Sequence, residues 1–413
     1  MSAENVYVAA FNSTEEQKNS ADFVCDGSHD ELVIQRAIYK CIEEKKNVYL
    51  FNGIYNIDGF HDFGDGGPIA AVVIPNEHRE IRIVGQNNEY GFQKRFDNGV
   101  VLYVSLEALK SIPDGQSADV IRGKWTAKGI QNGSNTYLEN LAVFTASNQY
   151  PLRCIDLRRT DRVELKDITL LGYADWIKAN PQGWLEDTPP FPSPECIGLT
   201  MTDGSNYNYS NYTNVFAYGF GEGIQVGGEH VVCINCGAML CIYGFTFGNY
   251  ELNCGSNHPI TLINCLDERN VNLPLFGKWC GDSDRSGGRI VGGQEVTMIS
   301  HNFERIAAVT PGGVLGDCMR EVIPGSWCGR IEYTAQPDWH ATNAVDFQLW
   351  ENDGSGAGFK AQNGRHKTVC STAERLSYYP SLGQQIFDTD LNKMVVCTDP
   401  HKKIWVDFYG NIV

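Results

Sequence analysis

Three carboxylates stand at matching places in a row of short apolar segments: Asp175, Glu195 and Glu222, each two residues ahead of an isoleucine at 177, 197 and 224. Arg153, two residues before Ile155, and Tyr243, two before Phe245, hold the same place in the segments on either side. If the segments are strands lying side by side, these side chains form a column, with neighbours about 4.8 Å apart and next neighbours about 10 Å apart. Those separations bracket the spacing of the two carboxyl groups in retaining and inverting glycosidases. Crowding of like charges raises one pKa, which supplies the protonated acid that a departing sugar oxygen needs. Asp175 with Glu195, or Glu195 with Glu222, is therefore expected to be the acid and its base or nucleophile. Solvated turn carboxylates, or a Ca2+ site built from the same column, are the competing readings, and no other cofactor is expected.

Candidate sugar contacts surround the column. The proline-rich loop from Asn180 to Pro194 interrupts the repeat at the carboxylates, and loops projecting from a rigid stack are where binding residues concentrate. Trp176 and Trp184 offer flat aromatic faces to sugar rings. Arg153, Asp156 and Arg158 belong to a strip of alternating charge that could meet a carboxylated or sulfated sugar, or could be a solvated face. Lys178, Gln225 and Tyr243 complete the expected substrate contacts, and no metal ligand is assigned.

These residues need a scaffold that repeats. Cys154–Leu157, Trp176–Ala179, Cys196–Leu199, Gly223–Val226 and Gly244–Phe247 read as short strands, with Ile155, Ile177, Ile197, Ile224 and Phe245 recurring at steps of 20 to 27 residues. Leu165–Ile177 lines up without a gap on Tyr212–Ile224. A second set of strands ends in a small polar residue: Val163 to Asp167, Val231 to Asn235, Ile260 to Asn264 and Val296 to Ser300. The triplets Ile234-Asn235-Cys236, Leu252-Asn253-Cys254 and Ile263-Asn264-Cys265 suggest amides bonded from turn to turn with small thiols packed beneath them. Stacked coils of β-strands with loops of variable length account for such a pattern.

Composition agrees. In 413 residues there are 43 glycines and only 20% charged residues, which favours a turn-rich β architecture. A formal charge of -17 argues against nucleic acid and anionic membranes as partners. No apolar run reaches the length of a membrane span. Met1 to Asn5 shows neither a charged nor an apolar region of a secretory signal, so a cytoplasmic or virion-associated location is expected. The fourteen cysteines are scattered, and Cys233, Cys236 and Cys241 lack a second ligand pair at zinc spacing, so they read as buried thiols in a reducing compartment.

The N-terminal region carries a more specific pattern. Leu32, Ile34, Ala37, Ile38, Cys41 and Ile42 form a helical apolar stripe over His29 to Lys46, with Asp30 and Glu31 in the first turn. Asp26, Gly27, Asp30, Ile34, Gln35, Ala37 and Ile38, followed by Val48 to Tyr55, resemble the start of the pectate-lyase-like right-handed parallel β-helix superfamily. That resemblance covers about residues 20 to 305. It implies an all-β chain divided into an N-terminal cap over 1–46, a parallel β-helix over 47–340, and C-terminal loops with a β-hairpin tail over 341–413. It implies also a carbohydrate substrate and a homotrimer. The catalytic signatures of the better-known members are missing, including Gly-His-Gly, and Asp399-Pro400-His401 falls in the wrong region, so no family's catalytic residues transfer. The stretch Gly383 to Lys393, with Trp405 to Asp407, is similar to a hairpin tail found on phage fibre proteins.

The expected function is cleavage of glycosidic bonds by paired carboxylates, as a glycoside hydrolase or a fructotransferase-like enzyme. A polysaccharide lyase, with Arg153, Lys178 or Tyr243 as base, is the second enzymatic reading. A non-catalytic, tailspike-like or fibre-like glycan binder is the reading from a different class.

Overall fold

The structure is a computed structural model that describes residues 5–75, 80–87, 99–125, 135–158, 160, 162–180, 189–200, 209–226, 230–247, 259–269, the strand backbones 288–291, 295–299, 302–305, 331–334 and 345–347, and residues 369–377, 383, 385–399 and 402–413. It is mostly β, with long parallel sheets and few helices. From residue 135 the chain alternates between two sheets. Asn135–Thr145, Arg162–Leu171 and Ser210–Tyr218 lie in the first, and Leu152–Asp156, Ile197–Thr200, Glu222–Val226 and Tyr243–Phe247 lie in the second. Each strand pairs in parallel with the next member of its own sheet. Both sheets turn apolar side chains into one continuous core that reaches from Val6 through Ile155 and Ile224 to Cys265.

The N-terminal motif residues close this core. Helix Asp30–Glu44 packs against the second sheet's strand Ile69–Ile74, whose strand partner is Ala118–Gly123 and whose other edge carries an isolated bridge from Ala70 to His61. There the Gln35 side chain stands in for a further strand: its amide nitrogen donates to the Val73 carbonyl at 2.9 Å, and its amide oxygen accepts from the Val73 N–H at 2.7 Å. Asp30, fully buried, accepts from the backbone N–H groups of Gly27 and Asn56 and so ties the helix to the strand Gly53–Ile57. The hydroxyl of buried Tyr55 stands between the carbonyls of Val8 and Phe51, at 2.9 and 2.7 Å, with its one proton shared between them. The motif is a set of caps for backbone groups that would otherwise be buried and unsatisfied.

A column of left-handed residues marks the bend in the first sheet. Asn140, Asp167, Asn214, Asn235 and Asn264 have φ between 53° and 59°, a conformation that asparagine and aspartate tolerate better than other residues with a side chain. Their neighbours are in register, and Asn214 donates to Asp167, and Asn264 to Asn235, at 2.8 Å each. Cys236 and Cys265 lie buried directly after the last two. The expected amide-over-thiol pattern forms here; Asn253 and Cys254 lie outside the described residues.

Two sequence expectations fail on register and on element type. Ile155 pairs with Leu199, not Ile197, and Leu199 pairs with Ile224. The cause is a glycine column. A Cβ on Gly198 would sit 2.4 Å from the Gly223 carbonyl oxygen, and one on Gly223 would sit 2.8 Å from that of Gly244, so close backbone approach sets the alignment. The segment Trp176–Ala179 is not a strand but part of the helix Ala174–Ala179. Its partner segment follows the repeat from Leu165↔Tyr212 to Leu171↔Tyr218 and departs after Gly172, where the chain leaves the sheet. Helix formers dominate the short sequence that follows, with Asp175 in the first turn and Lys178 in the last.

A separate small sheet lies at the C-terminal end. Gln385–Asp388 and Lys393–Asp399 form an antiparallel hairpin, extended by Ile404–Asp407, over a core of Cys370, Ile386, Val395, Cys397 and Trp405.

Candidate functional site

The corrected register dissolves the acidic column. Position by position, Arg153 stands beside Ile197, Ile197 beside Glu222, and Glu222 beside Tyr243, so one carboxylate remains where three were expected. Glu195 lies in the exposed turn before the strand Ile197–Thr200, which pairs with the Glu222 strand, and is two residues out of register with Glu222. Glu222, half-buried, accepts a hydrogen bond from the Gln225 amide at 2.8 Å. Asp175 sits on helix Ala174–Ala179, outside both sheets. Trp184 lies outside the described residues, and of Tyr243 only the backbone is described.

Arg153, Asp156 and Arg158 are not a surface strip. All three are buried, and they form an ion network with Asp119 and Arg122, which are buried as well. Arg153 donates to Asp119 and, through its other arm, to the Ser117 hydroxyl; Arg158 holds both oxygens of Asp156; Arg122 grips Asp65 with two bonds of 2.7 and 2.8 Å. Burial, then the neighbouring Asp156 charge, pushes Asp119 up to about 7, although Arg153 opposes this. Burial also works against ionisation of Asp156, but Arg158 and Arg153 outweigh it and hold that carboxyl below its usual range. The proton therefore belongs to Asp119. Sequence alternation placed these charges toward solvent, whereas both faces of this strand are covered.

Two expected residues, Asp175 and Lys178, come together with Tyr103 on the outer face of the first sheet. Asp175 accepts hydrogen bonds from the Tyr103 hydroxyl and from the Lys178 ammonium, the latter at 3.2 Å, and Lys178 lies 3.7 Å above the centre of the Tyr103 ring. Asp175 and Lys178 keep 45% and 43% of their side chains exposed. Burial, then the Asp175 bond, holds the Tyr103 phenol above its ordinary range, so it stays protonated and acts as a donor. Beneath lies an apolar cluster outside the main core, containing Val101, Phe144, Leu171 and Tyr173, with Tyr103, Trp176, Phe191 and Phe216 packed on it and still partly exposed. The end of the proline-rich loop is fastened beside it: Asn148 donates to the Pro190 carbonyl, and the Ser193 N–H donates to the Asn148 carbonyl. Sequence reasoning missed Tyr103, whose strand Val100–Val104 carries no repeat signal. Its contact with Asp175 spans 72 residues.

Among the described residues no group of three or more His, Cys, Asp or Glu is arranged to hold a metal ion, and no helix is long and apolar enough to cross a membrane. No protein-family model and no curated protein matches the chain. Among solved structures, the Escherichia coli protein YbhC is similar over 81% of this chain and 86% of its own, at 11% identity and a TM-score of 0.34. Tailspike protein 3 of bacteriophage CBA120 is similar over 92% of this chain and 67% of its own, at 10% identity and a TM-score of 0.31. The tailspike protein of the Acinetobacter phage vB_ApiP_P1 is similar over 88% of this chain and 64% of its own, at 10% identity and a TM-score of 0.27.

Proposed function

We propose that this chain is a right-handed parallel β-helix that recognises a glycan on the outer face of its first sheet. Alternation of successive strands between two parallel sheets supports the coil. The observation that carries the function is the Tyr103–Asp175–Lys178 cluster beside a band of partly exposed aromatic rings. Aromatic faces match the apolar faces of sugar rings, and a carboxylate held between a hydroxyl and an ammonium can exchange hydrogen bonds with vicinal sugar hydroxyls. Because Tyr103 and Lys178 already fix Asp175, little side-chain freedom is lost on binding.

Cleavage is the second reading, and one observation favours it. Glu195 and Glu222 remain on neighbouring coils, one exposed and one half-buried, so one can face a water molecule while the other faces the departing sugar oxygen. Hydrolysis would need no cofactor. A side-by-side trimer, implied by the superfamily resemblance, would place the outer faces of three copies near one another.

A glycan panel of neutral fructans and glucans beside uronic-acid polymers tests both readings. Trp176→Ala is expected to weaken retention of the bound glycan about tenfold, and Asp175→Asn several-fold. Unchanged retention in both variants would remove the outer face from consideration. Saturated products that vanish in Glu195→Gln and Glu222→Gln would establish hydrolysis, and unsaturated ends would establish a lyase.

A further inference from the structure

We propose a second ligand site, a pocket for one neutral sugar residue, next to the first strand of the second sheet. A cavity of about 660 Å³ opens there, within the range of small-molecule sites. Among the described residues its walls include Asp62, Gly66, Gly67, Gln116, Ser117 and Trp125. One wall is an indole, and the others present a carboxylate, an amide, a hydroxyl and glycine backbone. Gly66, with φ of 76° and nothing within 4 Å of where a Cβ would stand, leaves the rim open and its peptide groups accessible.

The walls are held by charges that the outer-face site does not use. Asp65 lies at the centre. Its carboxylate receives both arms of Arg122, the Trp125 backbone N–H at 2.8 Å and the Gly67 backbone N–H at 3.1 Å, so one side chain joins the glycine loop, the backbone that carries the indole and the strand Ala118–Gly123. Arg158 lies 5.2 Å from the centre of the Trp125 ring, and Arg153 donates to Ser117 at 2.7 Å. Burying three aspartate–arginine pairs adds little net stability, since desolvation offsets most of the attraction. What such a network does supply is fixed geometry, and here each pair touches a wall of the cavity or the residue that positions one.

Charge selects the ligand class. Asp62 is the ionisable side chain among the described wall residues; Arg122 and Arg158 are each bound to an ionised carboxylate, and Arg153, whose partner Asp119 holds the proton, lies 3.5 Å from the Asp156 carboxylate. An anionic sugar would meet like charge at Asp62, and among the described residues the nearby guanidiniums are buried and turned onto Asp65, Asp119 and Asp156. A neutral pyranose meets an aromatic face for its C–H side and acceptors and donors for its hydroxyls. The walls select this ligand independently of the outer face.

Saturation-transfer NMR on the full chain, with glucose, galactose, N-acetylglucosamine, rhamnose and glucuronic acid as probes, tests the site. At least one neutral sugar is expected to bind, and glucuronic acid more weakly than glucose. Trp125→Ala is expected to weaken binding about tenfold, with partial recovery in Trp125→Phe, which keeps an aromatic wall if the alanine variant folds poorly. Gln116→Ala is expected to weaken it several-fold. No binding by any of the four neutral sugars, or equal binding by wild type and both Trp125 variants, overturns the pocket. Loss in Trp176→Ala with none in Trp125→Ala assigns the sugar to the outer face and also overturns it, while leaving the glycan reading of that face intact.

Discussion

Asp119 shows how far a single residue can depart from its reading in the chain. It sits fully buried among Arg122, Arg153, Arg158 and the like-charged Asp156, and one of its oxygens has no hydrogen-bond partner. Its folded pKa, about 7, lies above the value of about 4 expected when unfolded. The folded protein therefore holds a proton that the unfolded chain releases earlier. Stability from this group is fully present below pH 4 and is lost as pH rises toward 7. Asparagine mimics the protonated form, so the melting temperature of Asp119→Asn minus that of wild type is expected to increase between pH 4 and 7 and to level off above. A constant difference across that range would show that Asp119 is ionised in the fold. None of this was legible in the chain, where Arg153, Asp156 and Arg158 read as a solvated or sugar-facing strip. Alternation distinguishes in from out only when one face of a strand is wet. The thiols were legible, because a cysteine within an apolar strand core has nowhere else to go, and all ten described cysteines are buried.

At the scale of elements, the parts set by local periodicity were legible and the parts set by contact were not. The apolar stripe over 29–46 appears as the helix Asp30–Glu44, and the amide–thiol triplets appear as the left-handed column at Asn235 and Asn264. The same helix carries a testable device, the Gln35 side chain that completes the edge of the strand Ile69–Ile74. Gln35→Ala leaves both the Val73 N–H and carbonyl buried without partners, which is expected to cost about 2–4 kcal/mol in denaturant unfolding. Gln35→Glu keeps the acceptor and loses the donor, and is expected to fall between. A loss under about 1 kcal/mol in Gln35→Ala would show that water reaches this edge. The strand Ile197–Thr200 was misread in register by two residues. Cys-Ile at 154–155 and at 196–197 look alike, yet the glycines at 198, 223 and 244 decide the alignment through backbone approach. The Gly-apolar pairs 198–199, 223–224 and 244–245 were the signal that could have found it.

The molecule as a whole combines parallel sheets around one core with a small antiparallel unit that has its own. In that unit Trp405, fully buried, covers the buried Arg375–Asp388 pair, whose nitrogen and oxygen are 2.7 Å apart. Trp405→Ala removes the largest side chain of a five-residue core and is expected to cost about 3–5 kcal/mol. Amide hydrogen exchange should then accelerate over 385–407 and stay unchanged over 135–226, because the two cores share no residue. Acceleration in both regions would show one cooperative unit. The sequence by itself determined the β class, the capping helix, the turn asparagines and the C-terminal hairpin, because each is encoded by residues close together in the chain. Tertiary structure alone decided which carboxylates meet. Asp175 finds Tyr103 and Lys178 instead of Glu195, and Arg153 and Arg158 are taken inward by Asp119 and Asp156. A shift of two residues between strands keeps every apolar side chain on its proper face, so hydrophobicity cannot detect it, yet it moves a charged group by a full step of the ladder.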